Sequence, residues 1–229
     1  MASVFVNAAQ TGSVSIAGEG DQRQVRSTRD GALFQASWLQ GLVLEGRCYM
    51  IQVGALTTPI VGGGNGTVVD LAEPEVNIGV PAGTTIFPFR VGVQCESSAT
   101  EADNDIGEII VGFDRLATNG GGTFTDEVAV NLRTDNPYSS LCDPNSAYTG
   151  AQTTTATVIE LARVQRQPIV DGSSVARDNT TIHLLYEPSY PIALVGPAQF
   201  LVYWGGIAAH NGFAQVFWAE LPTLSRISG

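Results

Sequence analysis

The chain has 229 residues and a formal net charge of −11, and 44% of its residues are hydrophobic while only 14% are charged. No apolar run reaches the roughly 18 residues that a membrane-spanning helix needs, so a transmembrane segment does not explain the apolar content. All eleven basic residues are Arg, and they form no cluster dense enough to bind a phosphate backbone, so direct nucleic acid binding is not expected.

The N-terminal residues lack the features of a secretory signal. Residues 1–7 contain neither a basic region nor a long apolar stretch. We therefore expect synthesis in the cytoplasm, with residues 1–30 forming an extended arm of a single β-sandwich domain that spans residues 1–229. Three widely spaced cysteines without a CxxC pair predict buried free thiols rather than a zinc site or a disulfide framework. These cysteines are Cys48, Cys95 and Cys142.

Short β-rich segments separated by turn residues dominate the chain. In one of them Phe89, Val91 and Val93 alternate with polar residues, which is typical of a half-buried strand. Dipeptides such as Asn65-Gly66 suit the turns between such segments. The nine predicted strands cover residues 47–53, 67–71, 86–96, 107–115, 127–133, 154–161, 180–186, 198–204 and 213–220.

Little helix is predicted between these strands. Phe34, Trp38 and Leu42 are spaced for one short helix, and long loops are predicted at residues 97–105 and 134–153. Nine strands with connections of this kind predict an all-β fold, a single jelly-roll-like antiparallel β-sandwich or barrel.

Motifs for catalysis and cofactor binding are absent from the sequence. A chain without Lys has no Walker A loop and no Schiff-base chemistry, and two histidines do not form a metal pair. We predict a surface or interface position for His183 and a turn position for His210. No catalytic residue and no organic cofactor are predicted, and the protein is not expected to be an enzyme.

The acidic residues offer one candidate metal site. Glu73 and Glu75 are interpreted as solvated loop charges. Glu101, Asp103 and Asp105 place oxygen ligands two residues apart, a spacing that can chelate Ca²⁺. Because the glycine and the distal Glu of an EF-hand are missing, an exposed acidic loop is the favoured interpretation and a Ca²⁺ site is the alternative.

Two aromatic segments lie near the C-terminus. Residues 198–204 and 213–220 are both apolar and are joined by a short loop, which predicts a hairpin inside a sheet. Neighbouring side chains of a strand point to opposite faces, so about half of these aromatic side chains must leave the main core. They are candidates for subunit contacts, and the alternative is a platform on which a sugar or a base stacks. The candidate interface residues are Tyr203, Trp204, Phe217 and Trp218.

The order of these features resembles the jelly-roll capsid proteins of tailless icosahedral viruses and phages. The resemblance lies in a Pro-Ala-Gly-Thr turn at residues 81–84, the long strand 86–96, the strand 107–113 and the closing pair of aromatic segments. It implies a shell subunit of a virion that assembles with copies of itself into trimers or pentamers and contacts other virion proteins. Many such proteins carry a basic arm that packages the genome, and this chain has none.

Two other classes of function stay open at this point. A phage decoration, fibre-head or receptor-binding protein would also be β-rich, and its C-terminal aromatic residues would face a ligand. A carbohydrate-binding module is the second alternative.

Overall fold

A computed structural model of the chain describes residues 37–63, 69–97, 106–115, 121–135, 138–150, 158–166, 181–206 and 209–223. The predicted arm at residues 1–30 and the acidic cluster Glu101, Asp103 and Asp105 lie outside these residues. Strands dominate the described chain, and one short helix, α1 (Trp38–Leu44), precedes them. The strands are β1 (Cys48–Val53), β2 (Ile60–Gly62), β3 (Val76–Val80), β4 (Thr84–Ser97), β5 (Gly107–Asp114), β6 (Thr123–Asp126), β7 (Val130–Asn131), β8 (Asp143–Thr149), β9 (Ile159–Arg166), β10 (Thr181–Tyr186), β11 (Leu194–Val195), β12 (Ala198–Gly206) and β13 (His210–Pro222).

The helix α1 begins with a capping box. The Ser37 hydroxyl accepts from the backbone N–H of Gln40 at 3.2 Å, and the Gln40 side chain accepts from the backbone N–H of Ser37 at 3.0 Å. The Trp38 ring meets Phe87 of β4 edge-on, with ring centroids 6.2 Å apart. The short helix therefore lies against the outer face of the sheet that contains β4.

The described strands form two antiparallel sheets. The seven-stranded sheet has the order β10-β4-β13-β1-β7, with β11 paired to β4 and β2 paired to β13. The six-stranded sheet has the order β6-β8-β3-β12-β5-β9. Their inner faces pack against each other, so the predicted all-β sandwich is confirmed.

Eight of the strands are paired in the nested order of a jelly roll. In antiparallel pairs, β1 lies beside β13, β3 beside β12, β4 beside β10 and β5 beside β9. Among these eight the first strand along the chain thus pairs with the last, the second with the seventh, the third with the sixth and the fourth with the fifth. The chain changes sheet at every connection except that between β5 and β9. The topology therefore agrees with the jelly-roll-like architecture expected from the sequence.

The connection between β5 and β9 adds three strands to one side of the sandwich. In the seven-stranded sheet β7 pairs with β1, and in the six-stranded sheet β8 pairs with β3 and β6 with β8. We call this side the β6–β7 edge. The opposite side, the β9–β10 edge, is formed by the outermost strands β9 and β10, where an Arg166 N–H donates to the Thr181 carbonyl oxygen at 2.9 Å.

Alternate residues of the long strands fill the core between the sheets. Trp204 and Phe200 of β12 face Trp218 and Ile51 of the other sheet within one cluster of buried apolar side chains. A smaller buried cluster lies on the outer face of the six-stranded sheet and contains Val69, Ile110, Leu201 and Tyr203. As a result β12 is buried on both of its faces.

The predicted C-terminal hairpin is wrong. The segments 198–204 and 213–220 are both strands, but β12 belongs to the six-stranded sheet and β13 to the seven-stranded sheet. Two apolar segments joined by a short loop form the same sequence pattern whether the strands pair as a hairpin or belong to different sheets. Here each strand finds a longer partner elsewhere, since β13 pairs with β4 along its whole length.

Three smaller predictions also differ from the structure. Residues 143–149 form β8 although they were expected in a long loop, and the expected strand 127–133 is reduced to the two residues of β7. Of the expected strand 67–71, the described residues contain only an isolated bridge at Val69. The pairing of β7 with β1 and of β8 with β3 determines the conformation of residues 127–149 more than local composition does.

Candidate functional site

The four aromatic residues predicted at an interface lie in three different environments. Trp204 and Trp218 are in the main core, and Tyr203 is in the small cluster on the outer face of the six-stranded sheet. All three side chains are 0% exposed within the single chain. Phe217 is half-buried on the outer face of the seven-stranded sheet, and of the four it alone keeps surface that a second chain can contact.

A buried carboxylate, that of Glu220, holds residues 138–142 against the end of β13. We call these residues the strap. The Glu220 Oε1 atom accepts from the indole N–H of Trp218 at 2.8 Å and from the hydroxyl of Ser140, and Oε2 accepts from the backbone N–H of Leu141 at 3.0 Å. The strap thus closes the sandwich on the side of the β6–β7 edge.

The thiol of Cys142 is buried where the strap ends. Burial raises the pKa of Cys142, and the negative charge of Glu220 raises it further. A thiolate is the reactive form of cysteine, so a closed strap keeps this thiol inert. Burial also raises the pKa of Cys48 and that of Cys95, each to about 12. The three cysteines are free and buried, as predicted.

We expect Glu220→Gln to loosen the strap and to increase the rate at which a thiol reagent modifies Cys142 by about tenfold or more. The amide keeps one acceptor oxygen but loses the charge and the second acceptor, which is worth on the order of 1–3 kcal/mol for a buried hydrogen-bonded carboxylate. The rate is measured with a chromogenic disulfide reagent, and peptide mass mapping identifies the modified cysteine. Glu187→Gln, at an exposed ion pair with Arg90, is the matched control. An unchanged rate at Cys142 would show that Glu220 does not hold the strap.

A second buried carboxylate, that of Glu75, joins the end of β2 to β12. Its Oε1 atom accepts from the backbone N–H of Gly63 at 2.6 Å, and Oε2 accepts from the backbone N–H of Trp204 at 2.8 Å. The interpretation of Glu75 as a solvated loop charge is wrong, because the residue is 2% exposed. The neighbouring Glu73 is half-buried and accepts from the backbone N–H of Gly150 at 2.6 Å.

Burial raises the pKa of Glu75 well above its ordinary value, and the nearby carboxyl of Glu73 adds to this rise. The N–H donors of Gly63 and Trp204 act in the opposite direction. Since burial is the largest of these influences, the folded state favours the neutral acid. Glu75 is therefore a structural link between loops and sheet.

Residues 69–71, between β2 and β3, cover part of the outer face of the six-stranded sheet. The Tyr203 hydroxyl donates to the carbonyl oxygen of Leu71 at 3.2 Å, and the backbone N–H of Val69 donates to Glu108 at 3.3 Å. Glu108 is buried and forms an ion pair with Arg163 at 2.7 Å. This cover explains why Tyr203 is buried although it points away from the main core.

The two histidines lie in different environments. His183 is exposed on β10, which confirms its predicted surface position. His210 was expected in a turn, but it begins β13 and is buried. A side-chain carbon at Gly107 would overlap the His210 imidazole, so the absence of a side chain at Gly107 makes room for this ring. The pairing of β13 with β4 continues to His210 and draws it out of the expected turn.

Large apolar side chains are exposed along both lateral edges of the sandwich. Those at the β6–β7 edge are Leu44, Phe124, Val128, Val130, Tyr138 and Leu141. Those at the β9–β10 edge are Leu185, Tyr190 and Val195. Among the described residues no further strand pairs with the outer side of β6, β7, β9 or β10. Grouped exposed apolar side chains of this kind mark interaction surfaces.

The outer face of the seven-stranded sheet carries an aromatic group. The rings of Phe89 and Phe217 have centroids 6.1 Å apart, and the guanidinium carbon of Arg90 lies 5.7 Å from the centre of the Phe217 ring. In the next cross-strand row, Gln52 and Gln215 are paired and exposed. This face combines aromatic surface with hydrogen-bonding amides.

The structure contributes two further observations on binding. In the described part of the chain, no group of three or more His, Cys, Asp or Glu side chains is arranged to hold a metal ion. The described residues also contain no helix that is long and apolar enough to cross a membrane.

Comparison of the chain with protein-family models, with characterised proteins and with solved structures found no match in any of the three.

Proposed function

We propose that this protein is a structural subunit that assembles with copies of itself, and that the assembly is the capsid shell of a virus. The supporting observation is a jelly-roll strand order whose two lateral edges both expose large apolar side chains. Grouped exposed apolar side chains promote association between chains. The low share of charged residues agrees with surface buried against other chains.

The charge of the chain bears on how such a shell would hold a genome. The net charge is −11, and the exposed carboxylates along the β6–β7 edge outnumber its guanidinium groups. A surface of this sign repels nucleic acid phosphates. Contact with the genome is therefore assigned to other virion proteins, and this chain forms a protein layer.

The native mass of the purified protein tests the proposal. We expect light scattering to give trimers, pentamers or shell-sized particles rather than the 24.1 kDa monomer. Repeating the measurement with EDTA examines the alternative assignment of Glu101, Asp103 and Asp105 as a Ca²⁺ site, since loss of the particles on chelation would assign calcium to the assembly. A monomer at high concentration, with and without added Ca²⁺, would rule out a self-assembling shell.

A decoration, receptor-binding or carbohydrate-binding protein is the second candidate function. The observation that favours it is the outer face of the seven-stranded sheet, where Phe89 and Phe217 lie beside exposed amides. Aromatic rings flanked by amides can stack on a sugar and bind its hydroxyl groups. A monomeric native mass would favour this function, and a glycan array would then be the next measurement.

A further inference from the structure

Two carboxyl groups converge at the end of β2. Oε1 of Glu75 accepts from the backbone N–H of Gly63 at 2.6 Å, and a side-chain carbon placed at Gly63 would lie 3.5 Å both from this atom and from Oε2 of Glu73. The other oxygen of Glu73 accepts from the backbone N–H of Gly150, which follows β8, at 2.6 Å. The two carboxyl groups therefore fasten the ends of β2 and β8 side by side.

The same carboxyl pair connects the end of β2 to β12. The pairing of β3 with β12 ends before Trp204, and in place of a strand the carboxyl of Glu75 accepts from the Trp204 backbone N–H at 2.8 Å. Residues 69–71 lie between β2 and Glu75 along the chain, and the carbonyl oxygen of Leu71 accepts from the Tyr203 hydroxyl at 3.2 Å. These contacts keep residues 69–71 over the outer face of β12, where Tyr203 is fully buried.

A buried N–H group without a partner lies under the end of β2. The indole Nε1 of Trp204 has no hydrogen-bond partner among the described residues, although Trp204 is fully buried. Side-chain carbons placed at Gly62 and Gly212 would lie 2.9 Å and 2.8 Å from this nitrogen, so the backbone of both glycines packs against it. A buried N–H without an acceptor destabilises the folded chain, and water would bind this group if the end of β2 moved away.

The carboxyl pair has no positive partner within the part of the chain that the structure describes, since neither of its members forms an ion pair there. Arg163 is paired with Glu108, and the imidazole of His210 lies against Gly107. If both carboxyl groups were ionised they would repel each other, and burial disfavours the charge of Glu75 as well. The ionisable side chains on the elements around the pair are Asp70, Cys95, Glu108, Arg163, Tyr203 and His210.

We propose that Glu73 and Glu75 form a pH-sensitive latch, which keeps the end of β2 and residues 69–71 on β12 at acidic pH and opens as the pH rises. In the closed fold Glu75 is a neutral acid, whereas in the open fold water surrounds it and it ionises at its ordinary pKa of 4.5. Opening above pH 4.5 therefore releases one proton to the solvent, and each pH unit favours the open fold by up to about tenfold until the pH passes the pKa of the closed fold. Opening uncovers Tyr203, so this apolar surface is offered to another chain only by the open fold. The latch does not depend on the proposed self-assembly.

Hydrogen exchange of two buried indole N–H groups tests the latch. Nuclear magnetic resonance of the isotope-labelled chain follows Trp204, under the end of β2, and Trp218, whose indole donates to Glu220. Each exchange rate is divided by that of a free indole at the same pH, which gives the protection of the group. From about pH 5 upwards we expect the protection of Trp204 to fall by up to about tenfold per pH unit and that of Trp218 to stay higher. Equal protection of the two indoles at every pH would show that Trp204 exchanges only when the whole chain unfolds, and would overturn the latch.

Three variants assign the pH dependence to the carboxyl pair. Glu75→Gln cannot ionise, so the protection of the Trp204 indole should no longer change with pH. Glu73→Gln keeps an acceptor for Gly150 but removes the neighbouring charge, so the total fall in protection should be smaller than in the wild type. Glu187→Gln, at an exposed ion pair, is the matched control and should behave as the wild type does.

Two outcomes of this experiment contradict the latch. One is a fall in the protection of Trp204 that persists unchanged in Glu75→Gln, and the other is a protection that rises with pH in the wild type. Equal far-ultraviolet circular dichroism of the variants and the wild type establishes that they fold. If Glu75→Gln does not fold, Glu73→Gln and the comparison of Trp204 with Trp218 in the wild type decide the question.

Discussion

Replacing Gly62 by alanine is expected to lower the free energy of unfolding by about 1–3 kcal/mol or more, as overpacking of a well-packed core does. A side-chain carbon at this position would overlap the backbone carbonyl oxygen of Trp204 and would lie 2.9 Å from the indole Nε1. Trp204 is fully buried and its strand is packed on both faces, so neither the ring nor the carbonyl can withdraw cheaply. Urea unfolding followed by circular dichroism measures the change.

Gly92→Ala is the matched control for Gly62→Ala. Both glycines lie in strands of the seven-stranded sheet, but a side-chain carbon at Gly92 would have no atom within 4 Å. We expect this control to stay within about 0.5 kcal/mol of the wild type, as surface substitutions usually do. Equal losses in the two variants would show that a general strand effect of alanine, and not the contact with Trp204, determines the cost.

Strands that bury a single face could be predicted from the sequence. In 180–186 and in the part of 86–96 from Val91 to Cys95, the alternation of apolar and polar residues places one parity in the core, and the structure has β4 and β10 within two residues of the predicted bounds. Phe89 was expected on the same face as Val91, but the register shifts at Phe89 and its ring lies on the outer face beside Phe217. Alternation depends only on the direction in which side chains point along a strand. The alternation can therefore be recognised in the sequence without knowledge of the partner strands.

Strands that depend on tertiary pairing were missed. In β8, Asp143, Pro144 and Asn145 are residues that favour turns, and only the pairing of β8 with β3 and β6 extends them. The Asn145 amide donates to Asp126 at 3.1 Å and its carbonyl accepts from the Tyr148 hydroxyl at 3.1 Å, so these buried polar groups are satisfied inside the sheet. Local propensity cannot reveal partners that lie about twenty residues away or more.

The environment of the aromatic residues could be predicted only in part. The opposite directions of Tyr203 and Trp204 follow from strand geometry and are confirmed by their separate clusters. That the outer face around Tyr203 is covered depends on the chain between β2 and β3, which the carboxyl of Glu75 fixes to β12. A buried acid next to a proline gives the same sequence pattern as an exposed one, so burial of Glu75 had no signal in the sequence.

Glu75→Ala is expected to lower the free energy of unfolding by about 2–6 kcal/mol, because it leaves two N–H donors, one buried and one partly buried, without an acceptor and each costs about 1–3 kcal/mol. The donors are the backbone groups of Gly63 and Trp204. Urea unfolding about one pH unit or more below 4.5, where Glu75 is protonated in both the folded and the unfolded chain, separates this loss from any effect of charge. Glu187→Ala, at an exposed carboxylate, is the control and should change stability by less than about 1 kcal/mol.

The pH dependence of Glu75→Gln separates the charge of this residue from its hydrogen bonds. Below the ordinary pKa of 4.5 the folded and unfolded states of the wild type are both protonated at Glu75, and the group adds no pH dependence. As the pH rises above 4.5 the unfolded chain releases the proton while the folded chain, whose pKa is raised by burial, retains it. The wild type should therefore lose stability relative to Glu75→Gln, by up to about 1.4 kcal/mol per pH unit, until the folded pKa is passed. If the wild type instead gains stability relative to the variant over this range, the two N–H donors outweigh burial, and Glu75 is ionised in the folded protein.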